Sequence, residues 1–195
     1  MATASKTAEA NTATRILDVA ERLVQTRGFN GFSYADIAAE LGITKASLHY
    51  HFPGKAELGE ALINRYGERF AEALAAIDES GSDAPAKLDA YVDIYAEVLR
   101  GQRMCLCGIL AAEYQTLPEP MRDAVIRFFD DNEAWLKGVL AQGRRSGTLS
   151  FREPPGQAAQ MILSGLEGAM LVARPYGDLK RFKAGADHLL ASLTA

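Results

Sequence analysis

Side chains suited to nucleic-acid contacts follow one another from residue 44 to residue 51, in the order Thr-Lys-Ala-Ser-Leu-His-Tyr-His. Hydroxyl, ammonium and imidazole groups bind phosphate oxygens or base edges, and a small residue such as Ala46 allows a helix to approach the major groove closely. Helical spacing directs Leu48 and Phe52 towards a core and leaves the other side chains outside. The outward face predicted for this helix comprises Lys45, Ala46, Ser47, His49, Tyr50 and His51.

The flanking residues predict two short helices joined by a tight turn. Ser33 and Asp36 form a capping-box pattern at the start of the first helix. Gly42 suits the left-handed residue that ends it, and Thr44 suits the cap of the second. Any helical hairpin with a glycine turn and a polar outer face has this pattern. Spacing alone therefore leaves DNA binding and ordinary packing equally open.

The same stretch resembles the helix-turn-helix of the TetR family of transcriptional regulators, and the resemblance covers roughly residues 12–70. It is carried by Gly28-Phe29, Ser33, Ile37-Ala38, Leu41-Gly42-Ile43, Thr44 to Leu48, His51 to Lys55, and Leu58. One position departs from the family, which usually has at position 49 a tyrosine that touches a phosphate. His49 can donate the same kind of hydrogen bond.

The resemblance implies an all-α fold of about nine helices, with an N-terminal three-helix DNA-binding head on a larger helical body. The expected divisions are a disordered tail over residues 1–11, a helix-turn-helix domain over 12–54, a connector helix over 55–78, and a ligand-binding and dimerisation domain over 79–195. The residues expected to contact DNA are Ser33, Thr44, Lys45, Ala46, Ser47, His49, Tyr50, His51 and Lys55. Lys55 opens the connector helix, where the helix dipole favours an anion, and is expected to clamp a phosphate rather than remain a solvated cation.

The implied partners are a palindromic double-stranded DNA operator, a second copy of the chain and a small-molecule inducer of unknown identity that releases the DNA. The expected mode is repression. In similar proteins the last two helices form the dimer interface. Small residues from Ser164 to Ala173 permit close helix packing there. The alternative is that these helices only complete the core of one chain, and the dimer is preferred because it places two reading helices about one DNA turn apart.

The sequence gives only weak indications of a ligand pocket. The candidates are Tyr91, Tyr95, Cys105, Glu113, Tyr114, Phe128 and Trp135. For these side chains a plain core or surface role is preferred to a ligand contact. Cys105 and Cys107 are the only cysteines, so no disulfide framework is expected. At i and i+2 of a helix they point about 200° apart, one inward and one elsewhere. A thiol-responsive regulator that senses oxidants or electrophiles, with Arg103 favouring the thiolate, is therefore an alternative to the reversible ligand.

Composition limits the other function classes. The chain has 195 residues and a net charge of −4; residues 1–70 balance eight basic against eight acidic side chains, and residues 71–195 carry thirteen against seventeen. No Gly-rich phosphate loop, nucleophile elbow or metal-spaced cluster indicates an enzyme, a cofactor or a metal.

The N-terminus lacks the apolar segment of a secretory signal and no run of 18 apolar residues is present, so a cytoplasmic protein without a membrane partner is expected. A binding module whose head no longer recognises DNA remains a further alternative.

Overall fold

The structure is a computed structural model that describes the main chain of residues 2–193 and the side chains of residues 11–193. Over this range the chain is all-α, as predicted, with nine α-helices and no strand. The helices are α1 (Ala2–Arg27), α2 (Tyr34–Leu41), α3 (Lys45–His51), α4 (Lys55–Glu79), α5 (Ala84–Arg100), α6 (Leu106–Ala112), α7 (Glu119–Ser146), α8 (Pro155–Ala173) and α9 (Leu179–Ala191). Two 3₁₀ turns, Tyr114–Thr116 and Arg174–Tyr176, follow α6 and α8.

The first helix begins earlier than expected. The sequence predicts a disordered tail over residues 1–11 and a helix that starts near Thr12, whereas α1 begins at Ala2. Four of the first ten residues are alanine, the strongest helix former, so the helix can extend into this segment. Met1 lies outside the described residues.

Helix α6 ends at Ala112, and a 3₁₀ turn follows it. The Glu113 N–H donates to the carbonyl of Leu110 (3.0 Å) and the Thr116 N–H donates to the carbonyl of Glu113 (2.9 Å). These i→i+3 bonds tighten the chain into a 3₁₀ turn before Pro118, which cannot continue a helix.

The chain divides into two compact units. The first consists of the chain up to Tyr66 together with Leu106–Val125. It therefore contains α6, a segment that was expected to belong to the body. Helix α1 packs against both α2 and α6. The main buried residues of this unit are Ile16, Ala20, Leu23, Val24, Ile37, Leu48, Leu58, Leu62, Leu110 and Met121.

The second unit consists of Gly67–Cys105 together with the chain from Ile126 onward. Its most extensive helix packing is between α8 and α9, and α5 packs against both. Gly165 allows this approach, because a Cβ there would lie 2.9 Å from Cδ2 of Leu189. The main buried residues are Leu74, Leu88, Tyr91, Tyr95, Leu136, Leu140, Ile162, Leu166, Met170 and Phe182.

Candidate nucleic-acid interface and buried polar cluster

The turn between α2 and α3 forms as the sequence predicts. The Asp36 carboxylate accepts hydrogen bonds from the Ser33 N–H (2.7 Å), which is its part of the capping box, and from the Ser33 hydroxyl (2.6 Å). Gly42 ends α2 at φ 66°, where a side chain would be strained. The Thr44 hydroxyl accepts from the Ser47 N–H at 3.1 Å and caps α3. These contacts fix the direction in which α3 leaves the turn.

Helix α3 presents one face to solvent and the other to the core, as predicted. Leu48 is fully buried and Phe52 is 9% exposed. Lys45 and Ala46 lie on the solvent side, and Tyr50 is 73% exposed. A large aromatic ring left in water on a short helix is available for contact with a partner.

The other predicted contact residues divide into two groups. His49 and the two capping residues, Ser33 and Thr44, are also exposed. Both hydroxyls already make their capping hydrogen bonds, but each retains a further lone pair. Ser47 and His51 are only half-exposed. The exposed surface therefore centres on residues 44–46, 49 and 50.

Tyr34 supports the end of α3, a role that was not predicted from the sequence. Its hydroxyl lies 3.0 Å from the carbonyl oxygen of Phe52 and 2.6 Å from that of Gly54. Burial, together with the charge of Glu57, raises the pKa of Tyr34 to about 12. The hydroxyl therefore remains a donor at physiological pH and ties α2 to the residues that end α3.

His49 is held by a specific ring contact. Its Nδ1 lies 2.9 Å from the carbonyl oxygen of Pro53, and its ring packs 4.8 Å from that of Tyr34. A carbonyl oxygen only accepts, so Nδ1 carries a proton in this contact. In the neutral ring Nε2 then has no proton and cannot donate to a phosphate. His49 can therefore replace the family's tyrosine as a phosphate donor only as an imidazolium.

The Lys55 ammonium makes hydrogen bonds within the DNA-binding head, whereas the sequence predicts that it contacts a DNA phosphate. Its Nζ donates to the carbonyl oxygens of Phe29 and Phe32, each at 2.5 Å, and lies 4.6 and 4.3 Å from the centres of their rings. Burial lowers the pKa of Lys55, and the charges of Glu113 and Asp36 act in the opposite direction. The ammonium thus holds the loop between α1 and α2 through two of its carbonyl groups.

Glu113 binds that same loop from the other side. Its carboxylate accepts from the N–H of Phe29 at 2.6 Å and from the N–H of Asn30 at 3.3 Å. The side-chain amide of Asn30 donates to the Thr116 hydroxyl at 2.8 Å. Glu113 and its neighbour Tyr114 belong to the first unit.

The remaining pocket candidates all belong to the second unit, and four of them form an aromatic cluster around Phe70. The ring of Phe70 lies 6.1 Å from Tyr91, 6.1 Å from Tyr95 and 5.1 Å from Phe128. Trp135 stacks on Tyr91 at 5.5 Å. The side chains predicted from the sequence are thus neighbours, while the two tyrosines prove to be almost fully buried.

The tyrosine hydroxyls belong to a buried polar network. They lie 3.2 Å apart, and the Tyr91 hydroxyl donates to Oδ1 of Asn132 at 3.0 Å. The Asn132 amide donates in turn to the Phe128 carbonyl at 2.7 Å. Burial raises the pKa values of both tyrosines, so the hydroxyls stay protonated.

Both cysteines are buried, although an i, i+2 spacing on one helix would direct only one of them inward. The reason is that Cys105 precedes α6 and belongs to the second unit, while Cys107 lies on α6 in the first. The Cys105 N–H donates to Sδ of Met170 at 3.2 Å. Its thiol interacts with the carboxyl of Glu167 on α8. Glu167 was not identified from the sequence.

Two further features bear on function. Among the described residues no group of three or more His, Cys, Asp or Glu side chains is arranged to hold a metal ion. A search of the described helices for one both long enough and apolar enough to cross a membrane finds none.

Comparison with protein families gives two matches that together cover most of the chain. The family described as "Bacterial regulatory proteins, tetR family" matches residues 16–62. The family described as "Tetracyclin repressor-like, C-terminal domain" matches residues 84–189. The first match contains α2 and α3, and the second contains the aromatic cluster's tyrosines.

Individual proteins that are similar to this chain are also transcriptional regulators. A TetR-family regulator from Agrobacterium tumefaciens is 33% identical with a TM-score of 0.93, over 96% of this chain and 100% of that one. One from Legionella pneumophila is 35% identical with a TM-score of 0.84, over 92% and 95%. The transcriptional repressor NemR of Escherichia coli is 26% identical over 96% of this chain and 98% of its own. The crystal structure of reduced NemR has a TM-score of 0.81 at 26% identity, covering 93% of this chain and 97% of that one.

Proposed function

The chain belongs to the tetR family of bacterial regulatory proteins and is a DNA-binding transcriptional regulator, and we propose that it is a repressor that binds a two-fold symmetric operator as a homodimer. In this proposal a small-molecule inducer binds the second unit and releases the DNA. The related proteins named above are transcriptional regulators, and NemR is described as a repressor.

The outward face of α3 carries the proposal. Lys45, Ala46 and Tyr50 are exposed on a helix whose opposite side is fixed by the buried Leu48. A cation, a methyl group and an aromatic hydroxyl can contact a phosphate, a thymine methyl and a base edge. A helix of 7 residues fits within one stretch of the major groove.

The exposed face of α8 supports the homodimer. Met161, Leu171 and Val172 are 41%, 59% and 55% exposed, and Ser164 and Gly168 lie on the same side. Apart from its chain neighbours and the backbone of its own helix, no described atom lies within 4 Å of the Cβ position of Gly168. Exposed aliphatic residues beside small ones fit a helix of a second copy. A two-fold dimer also supplies two α3 helices for two half-sites.

The chain itself suggests how the inducer site and the head are coupled. Leu106 follows Cys105 directly and begins α6, and Glu113, just after α6, holds the main chain at Phe29 and Asn30. A displacement of Cys105 would act on α6 through the main chain. A coupling free energy of about 1–3 kcal/mol is sufficient for regulation.

A binding titration tests the repressor proposal. Fluorescence anisotropy measures the affinity for DNA from just upstream of the protein's own gene at physiological salt, with and without excess nonspecific DNA. Binding that survives the competitor, with two chains per fragment, is the expected result. Binding of a single chain would contradict the homodimer, and binding lost to the competitor would contradict recognition of that sequence.

A thiol-responsive regulator is the second candidate, favoured by the contact between Cys105 and Glu167. The carboxylate can accept the thiol proton as the sulfur attacks an electrophile. The relative NemR has a crystal structure described as that of a reduced form.

Serine variants separate the two candidates. If the thiol acts, N-ethylmaleimide is expected to release DNA from the wild type and from Cys107→Ser but not from Cys105→Ser. The sulfur adds to the maleimide double bond, and the resulting enolate takes up a proton. Anisotropy of the preformed complex measures the release. Equal release from all three proteins would exclude Cys105 as the sensor.

A further inference from the structure

Glu167 is a buried carboxyl group without a cationic partner. Both carboxylate oxygens are inaccessible to solvent, and no donor completes a hydrogen bond of normal geometry to either one. No lysine, arginine or histidine among the side chains of residues 11–193 forms an ion pair with it. A buried carboxylate is costly unless it is paired or protonated, so its presence on α8 needs an explanation.

The groups around Glu167 do not neutralise it. Its carboxyl interacts with the Cys105 thiol, a weak hydrogen-bond donor, and its charge acts on the hydroxyls of Tyr91 and Tyr95. Burial raises the pKa of Glu167 to about 7, although the Cys105 contact acts to lower it. The group therefore exchanges readily between the neutral and the charged form near physiological pH.

Aromatic side chains belong to the same unit as this carboxyl, and its charge acts on the hydroxyls of two of them. Tyr91 and Tyr95 belong to the cluster in which Phe70 contacts both of them and Trp135 stacks on Tyr91. The faces of aromatic rings attract cations, and several rings near one anion are typical of sites that bind organic ammonium groups. The carboxyl and the rings thus each favour a cationic ligand such as an organic ammonium group.

We propose that Glu167 is the charge-recognition residue of the inducer site and that the inducer is a small organic cation carrying a protonated amine. The amine would replace the Cys105 thiol as the partner of the Glu167 carboxylate, and the apolar part of the ligand would pack among the rings. The proposal rests on the proposed function, because it names the class of inducer for that same unit. It also explains why the body keeps a carboxyl group where an apolar residue would pack at no electrostatic cost.

Matched amines and alcohols test the ligand class. The probes are benzylamine and benzyl alcohol, 2-phenylethylamine and 2-phenylethanol, and cyclohexylamine and cyclohexanol, each at millimolar concentration and pH 8. Thermal unfolding of the wild type is expected to show a Tm increase with at least one amine and none with its alcohol. Affinity for that amine, measured by calorimetry, is expected to fall roughly 30-fold or more in Glu167→Gln, because a buried charge pair is lost.

A control variant accompanies the main one. Glu72→Gln removes one exposed carboxylate from α4 and should bind the amine as the wild type does. Glu167→Gln keeps the size of the side chain without its charge, and its own Tm without ligand establishes that it folds. Equal effects of amines and alcohols, or amine binding that survives Glu167→Gln, would overturn the proposal.

Operator binding measured on the same samples separates this proposal from the proposed function. Release of operator DNA by the amine from the wild type but not from Glu167→Gln supports both. Glu167-dependent amine binding by a protein that binds no operator would support the ligand class and contradict the repressor. Specific operator binding without any amine effect would leave the repressor intact and overturn the ligand class.

Discussion

Replacing Ala46 with leucine is expected to reduce operator affinity about a thousandfold, to the level of nonspecific binding. Ala46 is exposed on α3, so the larger side chain meets no neighbour in the free protein and leaves the fold intact. In the complex it would hold the helix away from the base edges, and the direct contacts would be lost. Anisotropy titration against operator and scrambled DNA measures both affinities.

The control places the same substitution outside the interface. Ala75 lies on the exposed side of α4, and Ala75→Leu should match the wild type in DNA affinity. Both variants should unfold at the same urea concentration as the wild type. Full operator affinity in the Ala46→Leu variant would mean that α3 is not the helix that enters the groove.

Replacing Lys55 with alanine is expected to destabilise the head by about 2 kcal/mol without changing the salt dependence of the remaining DNA binding. The substitution removes two hydrogen bonds and leaves the carbonyl oxygens of Phe29 and Phe32 without their donor. It also removes the cation from two aromatic rings. Urea denaturation measures the stability, and titrations over a range of salt concentrations measure the slope.

Lys45 provides the matched comparison. It is exposed on α3, so Lys45→Ala should leave stability unchanged and flatten the salt slope by about one unit if it contacts a phosphate. Lys55→Ala is therefore expected to lower stability without changing the salt slope, and Lys45→Ala is expected to flatten the salt slope without changing stability. A flattened slope and unchanged stability in the Lys55→Ala variant would restore the phosphate-clamp role predicted from the sequence.

The local structure of the DNA-binding head could be predicted because its signals lie within a few residues of one another. The Ser33 and Asp36 capping box, the left-handed Gly42 and the Thr44 cap all depend on neighbours in the chain. Helical periodicity likewise places Leu48 inside and Lys45 outside. Periodicity alone did not distinguish a DNA-binding motif from an ordinary helical hairpin. The family resemblance made that distinction.

The roles of Lys55 and Glu113 could not be predicted, because both depend on contacts between distant parts of the chain. Lys55 donates to carbonyls 23 and 26 residues away, and Glu113 accepts from an N–H 84 residues away. From sequence alone, a charged residue at a helix start or end is expected to be a surface group. Only the packing of α1 against α6 brings Glu113 to the loop after α1.

Glu167 was missed for a related reason. It stands on α8 among small and apolar residues, and the sequence does not show that its helix face turns towards Cys105 and the tyrosines of α5. The aromatic candidates were easier to identify, because Tyr91 and Tyr95 lie one helical turn apart on an apolar stripe. Identifying Glu167 as a buried polar residue of the second unit thus required the three-dimensional structure.

Selection of bound sequences from a random DNA pool tests the central claim most directly, since the pool contains every candidate operator and none has to be chosen in advance. A homodimer with two α3 helices should enrich an inverted repeat whose half-site centres lie one helical turn, about 10 base pairs, or a multiple of it apart. The Ala46→Leu variant should enrich nothing. An enriched site without two-fold symmetry, or no enriched site with the wild type, would contradict the account.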